Sequence, residues 1–109
     1  MRVTLVLISL IVFGSCRREP PRYTGGPYYF GSWAGYDLPM KPTEPLNEEA
    51  ARRRKAYYEA FFDSDGKLVR FRKYFDGKVE WTDSYEYEHG RLVQRKMTKA
   101  SGEEQTQSF

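Results

Sequence analysis

The residues with the widest chemical repertoire are scarce: one cysteine, Cys16, and one histidine, His89, in 109 residues. One cysteine cannot close an internal disulfide, and one Cys with one His cannot supply the ligands of a structural zinc site. His89 stands in Glu88-His89-Gly90, a turn sequence in which the imidazole is solvated rather than aimed at a nucleophile. Asp63-Ser64-Asp65-Gly66 begins like a calcium loop, where glycine follows an acidic ligand. The likeness ends there, because Phe61 takes the first ligand position and Arg72 the place of the bidentate glutamate. The serines lie in no nucleophile motif, and no glycine-rich phosphate loop follows a strand. The expectation is a protein that is not an enzyme and takes neither metal nor cofactor.

A second set of residues suits contact rather than reaction. Tyr57, Arg70, Arg72, Tyr74, Trp81 and Tyr85 combine guanidinium groups with aromatic planes, a pairing that stacks on sugar rings or docks an extended peptide. The competing reading makes these rings the second half of the core, with the guanidinium groups lying over them. Nucleic acid is not expected as a partner. The 18 Lys and Arg are interleaved with 15 Asp and Glu, and a net charge of +3 builds no basic face.

Cys16 owes its meaning to what precedes it. Met1-Arg2 is followed by the apolar run Val3–Phe13, broken only by Thr4 and Ser9, then Gly14-Ser15-Cys16 and Arg17-Arg18. A charged start, a short apolar stretch and small residues beyond it form a secretory signal pattern, assigning residues 1–15 to a signal peptide. The run is far below the roughly 20 residues a spanning helix needs. Gly14-Ser15-Cys16 resembles the lipobox of bacterial lipoproteins, in which the cysteine is diacylated and becomes the new N-terminus. Phe13 stands where that motif usually has an aliphatic residue. The alternative is ordinary cleavage nearby, which leaves a free thiol. The resemblance implies attachment to a membrane through acyl chains on Cys16. With Arg17 rather than Asp following, it implies the periplasmic face of the outer membrane.

What must position these residues is a small, aromatic-rich domain. Aromatics make up 17% of the chain, too many for a disordered one. Residues 16–27 carry the cysteine and a linker of Pro, Gly and Arg. A β domain is expected over 28–98 and a polar tail over 99–109. Within 28–41 two extended pieces flank Ala34-Gly35, forming an aromatic hairpin whose second piece Pro39 confines to a sheet edge. Asn47 followed by Glu48 and Glu49 starts one short helix near 47–52, with a longer helix through Phe62 as the competing reading.

Beyond Tyr57, Asp65-Gly66, Asp76-Gly77, His89-Gly90 and Ser101-Gly102 recur every 11 to 13 residues. Each is a hairpin signal. The fold class expected is mainly β: an antiparallel meander of four strands near 54–63, 67–75, 78–88 and 91–98, plus the N-terminal hairpin. Regular two-residue turns would set Arg72 opposite Trp81 and Arg70 opposite Asp83, with Glu59–Arg72 and Lys73–Glu80 as further ion pairs. They would gather Leu68, Trp81, Tyr85, Tyr87 and Leu92 on the face of Tyr57 and Tyr74. Tyr58, Ala60, Phe62 and Phe71 would occupy the other.

Tyr28-Tyr-Phe-Gly-Ser-Trp-Ala-Gly-Tyr-Asp-Leu-Pro-Met-Lys41, Asp65-Gly-Lys-Leu68, Asp76-Gly-Lys-Val-Glu80 and Tyr85-Glu-Tyr87 together resemble a family of small bacterial domains of unknown function. The likeness covers roughly residues 28–97 and implies no activity. The functional expectation is a lipid-anchored envelope protein that binds an envelope protein or glycan polymer. The alternative is a small accessory subunit of a larger membrane-associated complex.

Overall fold

A computed structural model describes residues 23–109. The expected signal peptide, Cys16 and the expected linker as far as residue 22 lie outside the described residues. The chain runs β1 (Gly25–Ala34), β2 (Lys41–Leu46), α1 (Glu48–Arg52), β3 (Ala56–Phe62), β4 (Leu68–Phe75), β5 (Lys78–Glu88), β6 (Arg91–Lys99) and β7 (Glu104–Ser108). The strands make one open antiparallel sheet in the order β2-β1-β3-β4-β5-β6-β7. The mainly β meander with an N-terminal hairpin and one short helix is therefore the observed architecture.

Two kinds of turn join its last five strands, the tight ones in the middle and the longer ones at either end. Asp76-Gly77 and His89-Gly90 have both central residues at positive φ (55° and 79°, 53° and 78°), the tight hairpin turn that an X-Gly pair favours. The other two turns are longer. Gly66 N–H donates to Asp63 O at 3.0 Å and Gly102 N–H to Lys99 O at 2.8 Å. In the first of these, Asp63 Oδ1 accepts the amides of Asp65 and Lys67, both at 2.9 Å. The calcium-like sequence is thus a side-chain-supported turn.

The short helix forms as its residues require. Asn47 Oδ1 accepts the amide of Ala50 at 2.7 Å, Glu48 and Glu49 occupy the first turn, and Arg52 the last. It stops at once, and the longer helix does not form, because the alternating segment Ala56–Phe62 is drawn into the sheet as β3.

Two boundaries differ from expectation. The linker ends earlier: β1 begins at Gly25, and the Tyr23 ring stacks on Phe62 at 5.2 Å and meets Phe30 edge-on at 5.6 Å. The stretch read as a polar tail over 99–109 contains β7, paired with β6 from Thr98↔Glu104 to Gln94↔Ser108. All five of its residues are exposed, so nothing in its side chains marks it as a strand.

The larger correction concerns which residues face inward. Tyr57↔Tyr74 through Phe61↔Arg70 pair as expected, and so do Tyr74↔Val79 and Tyr87↔Leu92. The register then shifts by one residue between Phe61 and Phe62, between Lys73 and Tyr74, and between Glu86 and Tyr87. Each shift is a bulge, and an extra residue turns everything beyond it to the opposite side. Trp81 therefore stands opposite Lys73 rather than Arg72, and Asp83 opposite Phe71 rather than Arg70. Leu68, Trp81, Tyr85, Tyr87 and Leu92 move onto the face of Ala60 and Phe71, and most of the apolar residues gather there in one core, with Tyr57 left buried on the other face.

That core is centred on Phe30, Ala60, Leu68, Phe71 and Tyr85, all buried. Tyr58 stacks on Phe71 with ring centroids 5.1 Å apart, and Trp81 leans against both at 6.1 Å. Leu38 and Met40, from the loop joining β1 to β2, pack onto it from outside the sheet. The hairpin loop thus covers the face that a single sheet would leave wet.

Candidate functional site

The bulged register divides the six residues expected to form one contact surface. Tyr57, Arg70, Arg72 and Tyr74 share one face of β3 and β4, while Trp81 and Tyr85 lie on the core face of β5. On the first face Tyr57 and Tyr74 stack at 4.9 Å with planes 5° apart. Tyr29 meets Tyr57 edge-on at 6.0 Å. Arg72 Nη1 donates to Glu59 Oε1 at 3.3 Å and its Nε to Thr82 Oγ1 at 3.3 Å. Tyr74 OH adds a third bond, to Glu59 Oε1 at 3.4 Å. The Arg70 guanidinium lies over the Phe61 ring at 5.0 Å. These groups satisfy one another, and Tyr57 is only 6% exposed, with its phenol pushed up chiefly by burial.

The core face carries a polar cluster of a different kind. Asp83 is fully buried, and its Oδ2 accepts from Tyr85 OH at 2.9 Å, from Arg95 Nε at 3.0 Å and from Arg95 Nη2 at 2.9 Å. Asp83 Oδ1 has no hydrogen-bond partner among the described residues. The amide of Met40, carried in by the β1–β2 loop, donates to the Tyr85 hydroxyl oxygen at 3.5 Å. Burial first and the Asp83 carboxylate second push the Tyr85 hydroxyl far above its ordinary range, so it is a donor and not a base. Neither Asp83 nor Arg95 was singled out as a site residue from the sequence. Their pairing becomes visible only once the bulges place Arg95 opposite Tyr85.

Beside this cluster the loop leaves an open cleft of about 470 Å³, lined chiefly by Leu38, Met40, Phe62, Leu68, Tyr87 and Leu92. Its walls come from the β1–β2 loop and from the turn ends of β3–β4 and β5–β6. Lys41 and Lys67 also line it, giving an apolar interior two cationic neighbours. Tyr87 fixes one wall by donating from its hydroxyl to Leu68 O at 2.6 Å. Among the described residues no group of three or more His, Cys, Asp and Glu is placed to hold a metal ion. None of their helices is long and apolar enough to cross a membrane. His89 lies exposed in its turn.

Comparison with known families decides the kinship. A family of unknown function, DUF6156, matches residues 23–109, the whole of the described sheet from the Tyr23 ring to Phe109. The chain belongs to DUF6156. The resemblance seen from residue 28 therefore extends in DUF6156 to both of the boundary elements that the sequence had left outside the domain, Tyr23 and β7. No curated protein and no solved structure gives a significant match.

Proposed function

We propose that this DUF6156 protein is a lipid-anchored envelope protein of the bacterial outer membrane, facing the periplasm, that acts by binding rather than by catalysis. The observation that carries the reading is the apolar cleft beneath the β1–β2 loop, with Lys41 and Lys67 beside Leu38, Met40, Phe62 and Leu92. A pocket of this kind takes an apolar side chain from an extended segment of an envelope protein, with acidic groups flanking it. Acyl chains on Cys16 would hold the domain at the membrane, since two or more lipid signals anchor stably.

The test is photo-crosslinking in cells from a benzoylphenylalanine placed at Leu92, in the cleft, or at Val79, exposed on the opposite face. One discrete adduct from Leu92, absent from Val79, is expected. Equal labelling from both positions, or none from Leu92, would overturn the cleft reading. Fractionation of Cys16→Ala examines the anchor separately: it should leave the membrane pellet, and its retention there would sink the lipidation. The alternative, an accessory subunit of a larger membrane complex, is favoured by the open outer edge of β7.

A further inference from the structure

We infer that the protein forms a two-fold symmetric dimer by antiparallel pairing of β7 with β7 of a second copy, centred on Thr106. This rests on the sheet edge and not on the cleft reading. β7 ends the strand order, and no strand borders its outer side among the described residues. Lys99 N–H donates to Glu103 O at 2.9 Å and Phe109 N–H to Val93 O at 2.9 Å. The β6–β7 register is unbroken between these bonds. Residues 103, 105, 107 and 109 therefore turn their backbone groups toward β6, while Glu104, Thr106 and Ser108 turn theirs outward, since these directions alternate in an antiparallel ladder.

That outward set is complementary to itself. A dyad at Thr106 places Thr106 opposite Thr106 and Glu104 opposite Ser108 of the second copy. Every outward N–H and C=O of the three residues then finds a partner, giving six hydrogen bonds. On one face the threonines meet side by side, and on the other Gln105 meets Gln107, pairs that favour strand association. No like charges face each other, and Glu104 is already compensated by Lys96 Nζ at 3.8 Å.

The opposite edge is closed to the same reaction. β2 carries Pro42 and Pro45, which are three positions apart, so one of them presents its missing N–H to the outer side. Glu44 between them has a φ of 64°, off the extended geometry a strand needs. One adhesive edge and one blunted edge give a closed pair rather than a fibre.

Sedimentation of the full chain carrying Cys16→Ser, in mild detergent, is expected to show a dimer. Thr106→Pro removes only an outward N–H and should sediment as a monomer with unchanged far-ultraviolet circular dichroism. Thr106→Lys sets two ammonium groups across the dyad and should dissociate at least tenfold more readily at low salt than at high. In the Cys16→Ser background a short bismaleimide should join Thr106→Cys chains efficiently and Val79→Cys chains poorly. A monomeric parent, a Thr106→Pro variant that stays dimeric, or equal crosslinking from both positions would overturn the inference. Crosslinking in cells from Thr106 to a different protein alone would do so as well.

Discussion

Arg95 stands opposite Tyr85 across β5 and β6, yet its guanidinium reaches diagonally to Asp83 and sets two nitrogens on the single oxygen Oδ2, at 2.9 and 3.0 Å. The carboxylate is wholly buried and the guanidinium side chain 17% exposed, so the pair sits where desolvation of the acid is nearly complete. Such a pair is costly to break from one side, because the surviving charge keeps its desolvation penalty and loses its partner.

Asp83→Ala should accordingly lose about 3–5 kcal/mol of stability. Replacing both members by apolar residues of similar size, Asp83→Leu with Arg95→Met, should recover most of that loss. Urea unfolding of the three proteins measures it. A double variant no more stable than Asp83→Ala would mean that the pair contributes more than mutual compensation.

The Tyr87 hydroxyl is pushed up to about 12 from an ordinary value of 10, by burial first and by the nearby Asp63 carboxylate second. The folded state thus holds this proton more tightly than the unfolded chain does. The resulting stabilisation is complete below pH 10 and is lost as the pH rises through about 12. Tyr87→Phe should weaken the fold at neutral pH by about 1 kcal/mol through the lost bond to Leu68 O. It should also flatten the alkaline fall in stability, which thermal melts across that range would show; an unchanged slope would place the effect on Tyr85.

Glu80 is the supernumerary residue of the bulge beyond Asp76-Gly77, lying between Val79, paired with Tyr74, and Trp81, paired with Lys73. Its side chain makes only a half-exposed ion pair with Lys73 at 2.9 Å, so Glu80→Ala should cost less than about 1 kcal/mol. Deleting Glu80 is a different operation. It would turn Trp81, Asp83 and Tyr85 away from Phe71, and the deleted chain should show no cooperative thermal transition. A deletion that melts like the parent would mean that the turn absorbs the change.

Phe71 is fully buried between Tyr58 and Trp81. Phe71→Ala should cost about 3–5 kcal/mol. It should also shift tryptophan emission toward longer wavelength, a shift that Phe61→Ala on the opposite face should not produce.

The turns were legible because they are written in residues with a conformational reason to be there. Asp76, Gly77, His89 and Gly90 all adopt positive φ, and their spacing announces strand number and length. The faces were not legible, because a bulge changes the count of residues without changing their type. Nothing in Lys78-Val79-Glu80-Trp81 says that Glu80 has no partner of its own. The candidate contact surface inherited that error: Tyr57, Arg70, Arg72 and Tyr74 were placed together correctly, and Trp81 and Tyr85 were assigned to the wrong side. β7 escaped notice for the opposite reason. Glu104–Ser108 buries neither face, so its strand character resides in backbone pairing alone.

The ring of Tyr23, wedged against Tyr28, Phe30 and Phe62, fixes where the folded body begins. Six residues separate it from Cys16, a contour of at most about 25 Å over the seven Cα-to-Cα steps. With acyl chains on that cysteine, the arrangement is a short leash attached at one corner. Phe62 belongs both to that corner and to the lining of the cleft. Under the proposed anchoring, the mouth that would receive a partner would be held close to the bilayer, where a partner attached to the same membrane would meet it most readily.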